Sequence, residues 1–203
     1  MDKIRNMVMP AVIMLSFLLG MTFLASASSA GTMEVNLGLG LYAPSNQAVK
    51  DIYGRGIAPG GRIRFSLSKN LDMVAGFDYF SKKGTPYYWG YTSAESTIRL
   101  ITLQGGALLK FPIGSITPYI GGGLDLCLVR EEIWATSPWE TIHIIASETD
   151  FGFHLLGGAS LRLAQKISAF GELEYRSIRT KGGGAAANLG GLFFRLGIAF
   201  VLF

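Results

Sequence analysis

The stretch Leu192–Phe203, reading Leu-Phe-Phe-Arg-Leu-Gly-Ile-Ala-Phe-Val-Leu-Phe, constrains the fold more than any other part of the chain. Its even positions, Leu192, Phe194, Leu196, Ile198, Phe200 and Leu202, are large and apolar, while odd positions carry Arg195, Gly197 and Ala199. A repeat of two sends alternate side chains to opposite faces, so the segment is a β-strand. So apolar a strand at a sheet edge in water would template aggregation, which soluble proteins avoid with charge, bulges or cover. Closing the sheet on itself in lipid removes the edge and gives the apolar face a suitable solvent. The strand is therefore read as the one that closes a membrane-spanning barrel.

The rest of the composition fits one domain of that kind. Of 203 residues 27 are glycine, only 16% are charged, and 49% are hydrophobic, a mixture that suits β structure in lipid better than a soluble enzyme. The net charge is +4, but the basic residues are scattered and form no dense run, which argues against a nucleic-acid partner. A single cysteine, Cys127, excludes an internal disulfide, and no Cys/His spacing suits zinc; no cofactor or metal is expected.

Residues 1–30 read as a secretory signal peptide. Lys3 and Arg5 give a positive start, Met7–Leu24 is mostly apolar, and Ala25–Ala30 supplies small residues for cleavage after Ala27 or after Ala30. An uncleaved membrane anchor is the alternative. The remaining domain, residues 31–203, begins with strict alternation in Glu34–Ala43. Further alternating stretches are Arg62–Leu67, Leu71–Phe80, Ile98–Phe111, Tyr119–Val129, Asp150–Leu163, Ser168–Ser177 and the closing strand. In Ile98–Phe111, Arg99 falls out of phase with Thr102, Gln104 and Lys110, so a bulge near Leu100 is expected. The connections alternate: long and polar after strands one, three, five and seven, short after two, four and six. The long ones are placed at about residues 44–60, 81–95, 130–147 and 180–189. Short inner turns and longer outer loops in that order predict an all-β, eight-stranded antiparallel up-and-down transmembrane β-barrel with both ends of the chain on the periplasmic side.

With these residues laid out, the chain resembles the small outer-membrane β-barrel family that includes the OmpA barrel domain and OmpX. The resemblance rests on Thr-Pro-Tyr-Ile-Gly-Gly-Gly-Leu at 117–124, Gly157-Gly158, Phe170-Gly-Glu-Leu-Glu-Tyr-Arg176 and the terminal Phe203. It implies location in the cell outer membrane, with outer-membrane lipid and the outer-membrane assembly machinery as partners, and Phe203 as the assembly signal. Here the bulkier apolar residues lie one, three and five positions before Phe203, a departure from the family's usual two and four.

The inward faces collect Arg62, Arg64, Lys110, Arg162, Arg176 and Arg195 against Glu34, Asp72, Asp78, Asp125, Asp150, Glu172 and Glu174. Eight strands leave an interior that side chains can just fill, and unpaired buried ions are costly, so a salt-bridged plug is expected rather than an open channel. A small diffusion pore is the alternative. Glu172 and Glu174 have the spacing of a paired acid/base, and His143 with Ser147 and Glu148 offers a lipid-modifying hydrolase, but neither matches a defensible motif. The expected protein is a non-enzymatic monomer. Tyr87, Tyr88, Trp89, Tyr91, Trp134 and Trp139 in the long loops are read first as an aromatic girdle at the headgroups, second as a surface for an extracellular ligand.

Overall fold

The structure is a computed structural model that describes residues 31–86, 91–180 and 187–202. The signal peptide expected at residues 1–30, the aromatics Tyr87, Tyr88 and Trp89, and Phe203 lie outside the described residues. The strands are β1 (Met33–Pro44), β2 (Gly56–Ser66), β3 (Leu71–Gly84), β4 (Ser93–Lys110), β5 (Ile116–Thr136), β6 (Thr141–Ala164), β7 (Ile167–Thr180), the two-residue β8 (Ala187–Asn188) and β9 (Gly191–Val201). One helix, α1 (Gln47–Tyr53), joins β1 to β2.

Each long strand pairs antiparallel with its sequence neighbour, and β9 pairs with both β7 and β1, for example Glu172↔Arg195 on one side and Leu39↔Leu196 on the other. The ring of β1–β7 and β9 is thus a closed eight-stranded antiparallel barrel, with β8 added at the end of β7. The period-two pattern chooses the faces. Outward positions from Val35 to Leu41, Ile57 to Leu67, Leu71 to Tyr79, Ile101 to Leu109, Ile116 to Leu128, Phe151 to Leu163, Ile167 to Tyr175 and Leu192 to Leu202 carry no charged side chain. Leu124, Phe151 and Leu39 on this wall are 73%, 72% and 64% exposed. A strand tilted by 35–45° crosses the apolar band of an outer membrane, roughly 25 Å tall, in about 10 residues, which matches the length of this uncharged zone.

Three sequence expectations need correction. The connection 44–60 contains α1, started by the Asn46 side chain accepting from the Val49 amide and ended at Gly54, whose φ of 65° suits glycine. Residues 130–147 are not a loop: β5 runs 21 residues and β6 24, joined by the four-residue turn Ser137–Glu140, and β3 and β4 also run into the loop expected at 81–95. Arg130, Glu131, Glu132 and Pro138 had masked the alternation there. Finally, β4 pairs with β3 and β5 in unbroken register, with no bulge near Leu100; Arg99 simply faces outward while Ile98, Leu100, Thr102 and Gln104 face in.

Candidate functional site

The interior is built in layers. In the central layer Arg62 and Arg64 come from β2, Asp78 from β3, Gln104 from β4, Asp125 from β5, His154 from β6, Glu172, Glu174 and Arg176 from β7, and Arg195 from β9; all are at most 4% exposed. Glu172 accepts from Arg62, from Arg64 at 2.6 Å, from Arg195 at 3.2 Å and from the Tyr119 hydroxyl at 2.9 Å. Glu174 accepts from Arg62, from Gln104 at 2.9 Å and from Arg176 Nε at 2.8 Å. Asp78 takes Arg176 and Arg195, each at 2.6 Å, and Asp125 meets His154 at 2.8 Å. Arg62, Arg64, Arg176 and Arg195 therefore face Asp78, Asp125, Glu172 and Glu174, a balanced set in which each guanidinium serves more than one carboxylate. Such charge-assisted bonds offset the desolvation that makes an isolated buried ion so unfavourable.

Glycines on the inner face make the room. A Cβ on Gly76 would stand 2.6 Å from Arg62 Cγ, and one on Gly158 2.9 Å from the Tyr119 ring. The bulky network fits because its neighbours across the pleat have no side chain.

The remaining residues assigned to the lumen charge network lie outside this layer. Lys110 pairs with Asp72 at 2.5 Å near the short-turn end, and Glu34, at 3.5 Å from Arg64, is partly exposed there. Asp150 is half-buried opposite Cys127, on the other side of the layer. Arg162 is the exception: it sits beside a register shift at the β6–β7 turn and is exposed, so it does not belong to the interior. Only the central residues are brought together in one cluster.

Toward the loop end the interior turns apolar, which alternation read only as polar-in and oily-out did not anticipate. Tyr42 stacks on Phe193 with ring centroids 4.5 Å apart and meets the Phe80 ring edge-on at 4.9 Å. Ile98, Leu100, Ile178 and Leu189 join them, and the Val49 and Tyr53 side chains of α1 close the cluster from above. The Arg176 guanidinium lies 4.0 Å over the Phe193 ring, so the ionic and aromatic layers are in direct contact. Tyr53 latches the helix: its hydroxyl meets Ser96 Oγ at 2.5 Å and donates to Glu131, which Ser96 also reaches at 3.0 Å. Burial and the bond to Glu131 push the Tyr53 phenol well above its usual range. Gly84 lets α1 approach β3, since a Cβ there would stand 2.7 Å from Ile52 Cγ2. A smaller apolar group, Val74, Leu108, Tyr119 and Leu156, lies on the opposite side of the ionic layer.

Beyond Gly152, β6 pairs with β5 alone among the described residues, so these strands project past the apolar band. From Leu128, the last aliphatic outward residue of β5, to Thr136 the strand rises about 20 Å at the usual tilt. Trp134 and Trp139 therefore stand above the headgroup zone, and the girdle reading does not hold for them; Tyr79 and Tyr175, 40% and 43% exposed, occupy that margin instead. Trp134 stacks on His143, its cross-strand partner, at 3.8 Å and 10°, and Trp139 at the hairpin tip is 92% exposed. His143 and Ser147 share a face four residues apart, about 13 Å along the strand, and Glu148 points to the other face, so the three do not form a catalytic constellation.

Comparison with known proteins agrees with this architecture. Residues 13–200 match the family described as the outer membrane protein beta-barrel domain. No curated protein matches significantly. Among solved structures the chain is similar to the outer membrane protein OprG from Pseudomonas aeruginosa, with 10% identity, 85% of this chain and 96% of that one covered and a TM-score of 0.62. It is likewise similar to Neisserial surface protein A, with 13% identity, 86% and 98% coverage and a TM-score of 0.56. A major outer membrane protein from Thermus thermophilus gives 14% identity, 84% and 99% coverage and a TM-score of 0.56. At such identities the likeness shows the fold alone.

Proposed function

Because the chain belongs to the outer membrane protein beta-barrel domain family, and is thus a protein of the cell outer membrane, we propose that it acts as a closed, non-enzymatic, monomeric barrel whose working surface is its loop end. Its lumen does not conduct. The observation that carries this reading is the stacking of a balanced ionic layer beneath an apolar one, with α1 seated on top: a permeating ion would have to break paired carboxylates and then cross a ring of Tyr42, Phe80 and Phe193. Eight strands leave no spare width around such a filling. The hairpin of β5 and β6, carrying Trp134, His143 and Trp139 well clear of the lipid, supports contact with an extracellular ligand. Residues 1–30 serve as the export leader, and Phe203 as the signal for the assembly machinery.

Planar-bilayer recording on the refolded barrel tests the lumen. Silence, or rare small flickers, is expected; steady large openings would establish the diffusion pore instead. Mass analysis of lipid A from cells with and without the protein tests the absence of enzymatic activity, and a changed acylation pattern would refute it.

A further inference from the structure

The outer wall carries one feature that neither the lumen nor the hairpin tip uses. Across β3, β4, β5 and β6 the outward residues Ser81, Arg99, Arg130 and Ser147 form one cross-strand row. The next row toward the membrane is Tyr79, Ile101, Leu128 and Thr149, and the one after it Phe77, Leu103, Leu126 and Phe151. The first charged row beyond the apolar band therefore holds two arginines facing each other directly, an arrangement that disfavours strand pairing unless something neutralises it. Glu132 does so only in part: one oxygen lies 3.5 Å from Arg99 Nη1 and 2.8 Å from Arg130 Nη2. Lys83 stands in the same row as Glu132 and adds a third cation to this sector. Arg130 Nε also donates to that Glu132 oxygen, at 2.9 Å, yet the Arg99 and Arg130 side chains stay 45% and 51% exposed, and a guanidinium carries five N–H donors, more than one carboxylate oxygen can take. At the same margin β1 offers Ser45, β2 the single Arg55, β7 the single Arg179 and β9 no cation, so the two guanidiniums that face each other directly belong to one side of the barrel.

We propose that Arg99 and Arg130 form a binding site for the phosphate of a lipid headgroup in the loop-side leaflet. A phosphate monoester presents several acceptor oxygens, matches the fork geometry of guanidinium, and brings the negative charge that Glu132 alone does not supply. Its acyl chains would run down the wall past Ile101, Leu103 and Leu126, where outward Ala75, Gly105, Ala107 and Gly122 leave the surface shallow. The site is independent of whether the lumen conducts.

The test is lipid selectivity of the folded full-length barrel in phosphatidylcholine vesicles, read by electron paramagnetic resonance from the immobilised fraction of spin-labelled phosphatidic acid against spin-labelled phosphatidylcholine. A preference of about fivefold or more for the phosphate monoester is expected, since each cation near a membrane surface contributes about that factor. Arg99→Gln with Arg130→Gln should abolish most of it, Lys69→Gln with Lys166→Gln at the opposite end should leave it, and Glu132→Gln should raise it. That last gain cannot come from misfolding. Inorganic phosphate at constant ionic strength should not displace the lipid. No preference in the unmodified protein, a preference that survives the double arginine substitution, or loss of it to free phosphate would each overturn the proposal.

Discussion

Glu172 is the sharpest place to test the interior. Its side chain is fully buried and touches three guanidiniums and one phenol, contributed by β2, β5 and β9. Glu172→Gln keeps the shape and removes one negative charge, so the layer changes from four cations against four anions to four against three, and the new amide turns an N–H₂ toward an arginine. Removing one partner of a buried pair costs about 3–5 kcal/mol, because the remaining ion stays desolvated. With Arg62 and Arg195 still able to reach Glu174 and Asp78, the lower part of that range is expected. Arg64 is the arginine with the least alternative, its other acid being Glu34 at 3.5 Å. Adding Arg64→Met to Glu172→Gln restores neutrality, so the double variant should be more stable than the sum of the single losses by about 1–3 kcal/mol, the scale of coupling between residues in contact. Urea titration in vesicles, followed by tryptophan fluorescence and by the gel-mobility difference between folded and boiled barrel, measures both. A Glu172→Gln barrel within about 0.5 kcal/mol of the original, the range of an inert surface change, would refute the layered ionic interior.

Other outcomes follow from the same geometry. Gly76→Val should destabilise by about 1–3 kcal/mol or more by driving a branched side chain into Arg62, read from the same unfolding curves. Leu124→Arg, in the middle of the uncharged wall, should cost about 2–4 kcal/mol and lower the yield of folding into vesicles, whereas Trp139→Arg at the hairpin tip should leave both unchanged. Tyr53→Phe should loosen α1, seen as faster amide exchange in the helix while the strands keep their protection. Since the folded Tyr53 phenol is raised above its ordinary value near 10, its contribution is fully present below that pH and is lost as pH rises above it; helix protection, with the base-catalysed intrinsic rate divided out, should fall above about pH 10 in the original protein and not in Tyr53→Phe.

How far the sequence reaches is set by the period of two. That period depends only on which face meets lipid, so the wall from Leu37 to Leu41 or from Phe151 to Leu163 was legible, and with it the closed barrel. The acids and bases of the central layer follow from the same alternation, whereas Arg162, between Leu161 and Leu163, escapes it because the register shift at the β6–β7 turn ends the two-faced wall there. Four things were not legible. The apolar inner layer hides because Phe80, Leu100 and Phe193 share the pleat with Asp78, Thr102 and Arg195, and alternation reports a face, not a height along the barrel. The projecting hairpin hides because outside the membrane neither face must be oily, so β5 and β6 continue without the pattern that identified them. Helix α1 is too short for its 3.6 period to show, although Asn46 as a cap and the Gln47–Asp51 pair at 2.6 Å were its available signals. Gln104 and Tyr119 also join the ionic cluster, and uncharged donors leave no trace in charge counting.

The seam where β9 meets β1 joins the two ends of the described barrel, and the ionic layer straddles it: Arg62 and Arg195 meet on Glu172, 110 and 23 residues away in sequence. A sheet opened at that seam would leave Arg176 and Arg195 with acids on their own or the neighbouring strand, but would strand Arg62 and Arg64 of β2 away from Glu172 and Glu174 of β7, beside acyl chains. Their neutrality arrives only when the last strand docks. Rolling into a cylinder is therefore the step that completes the neutralisation of the interior, because only closure brings β2 to the acids of β7.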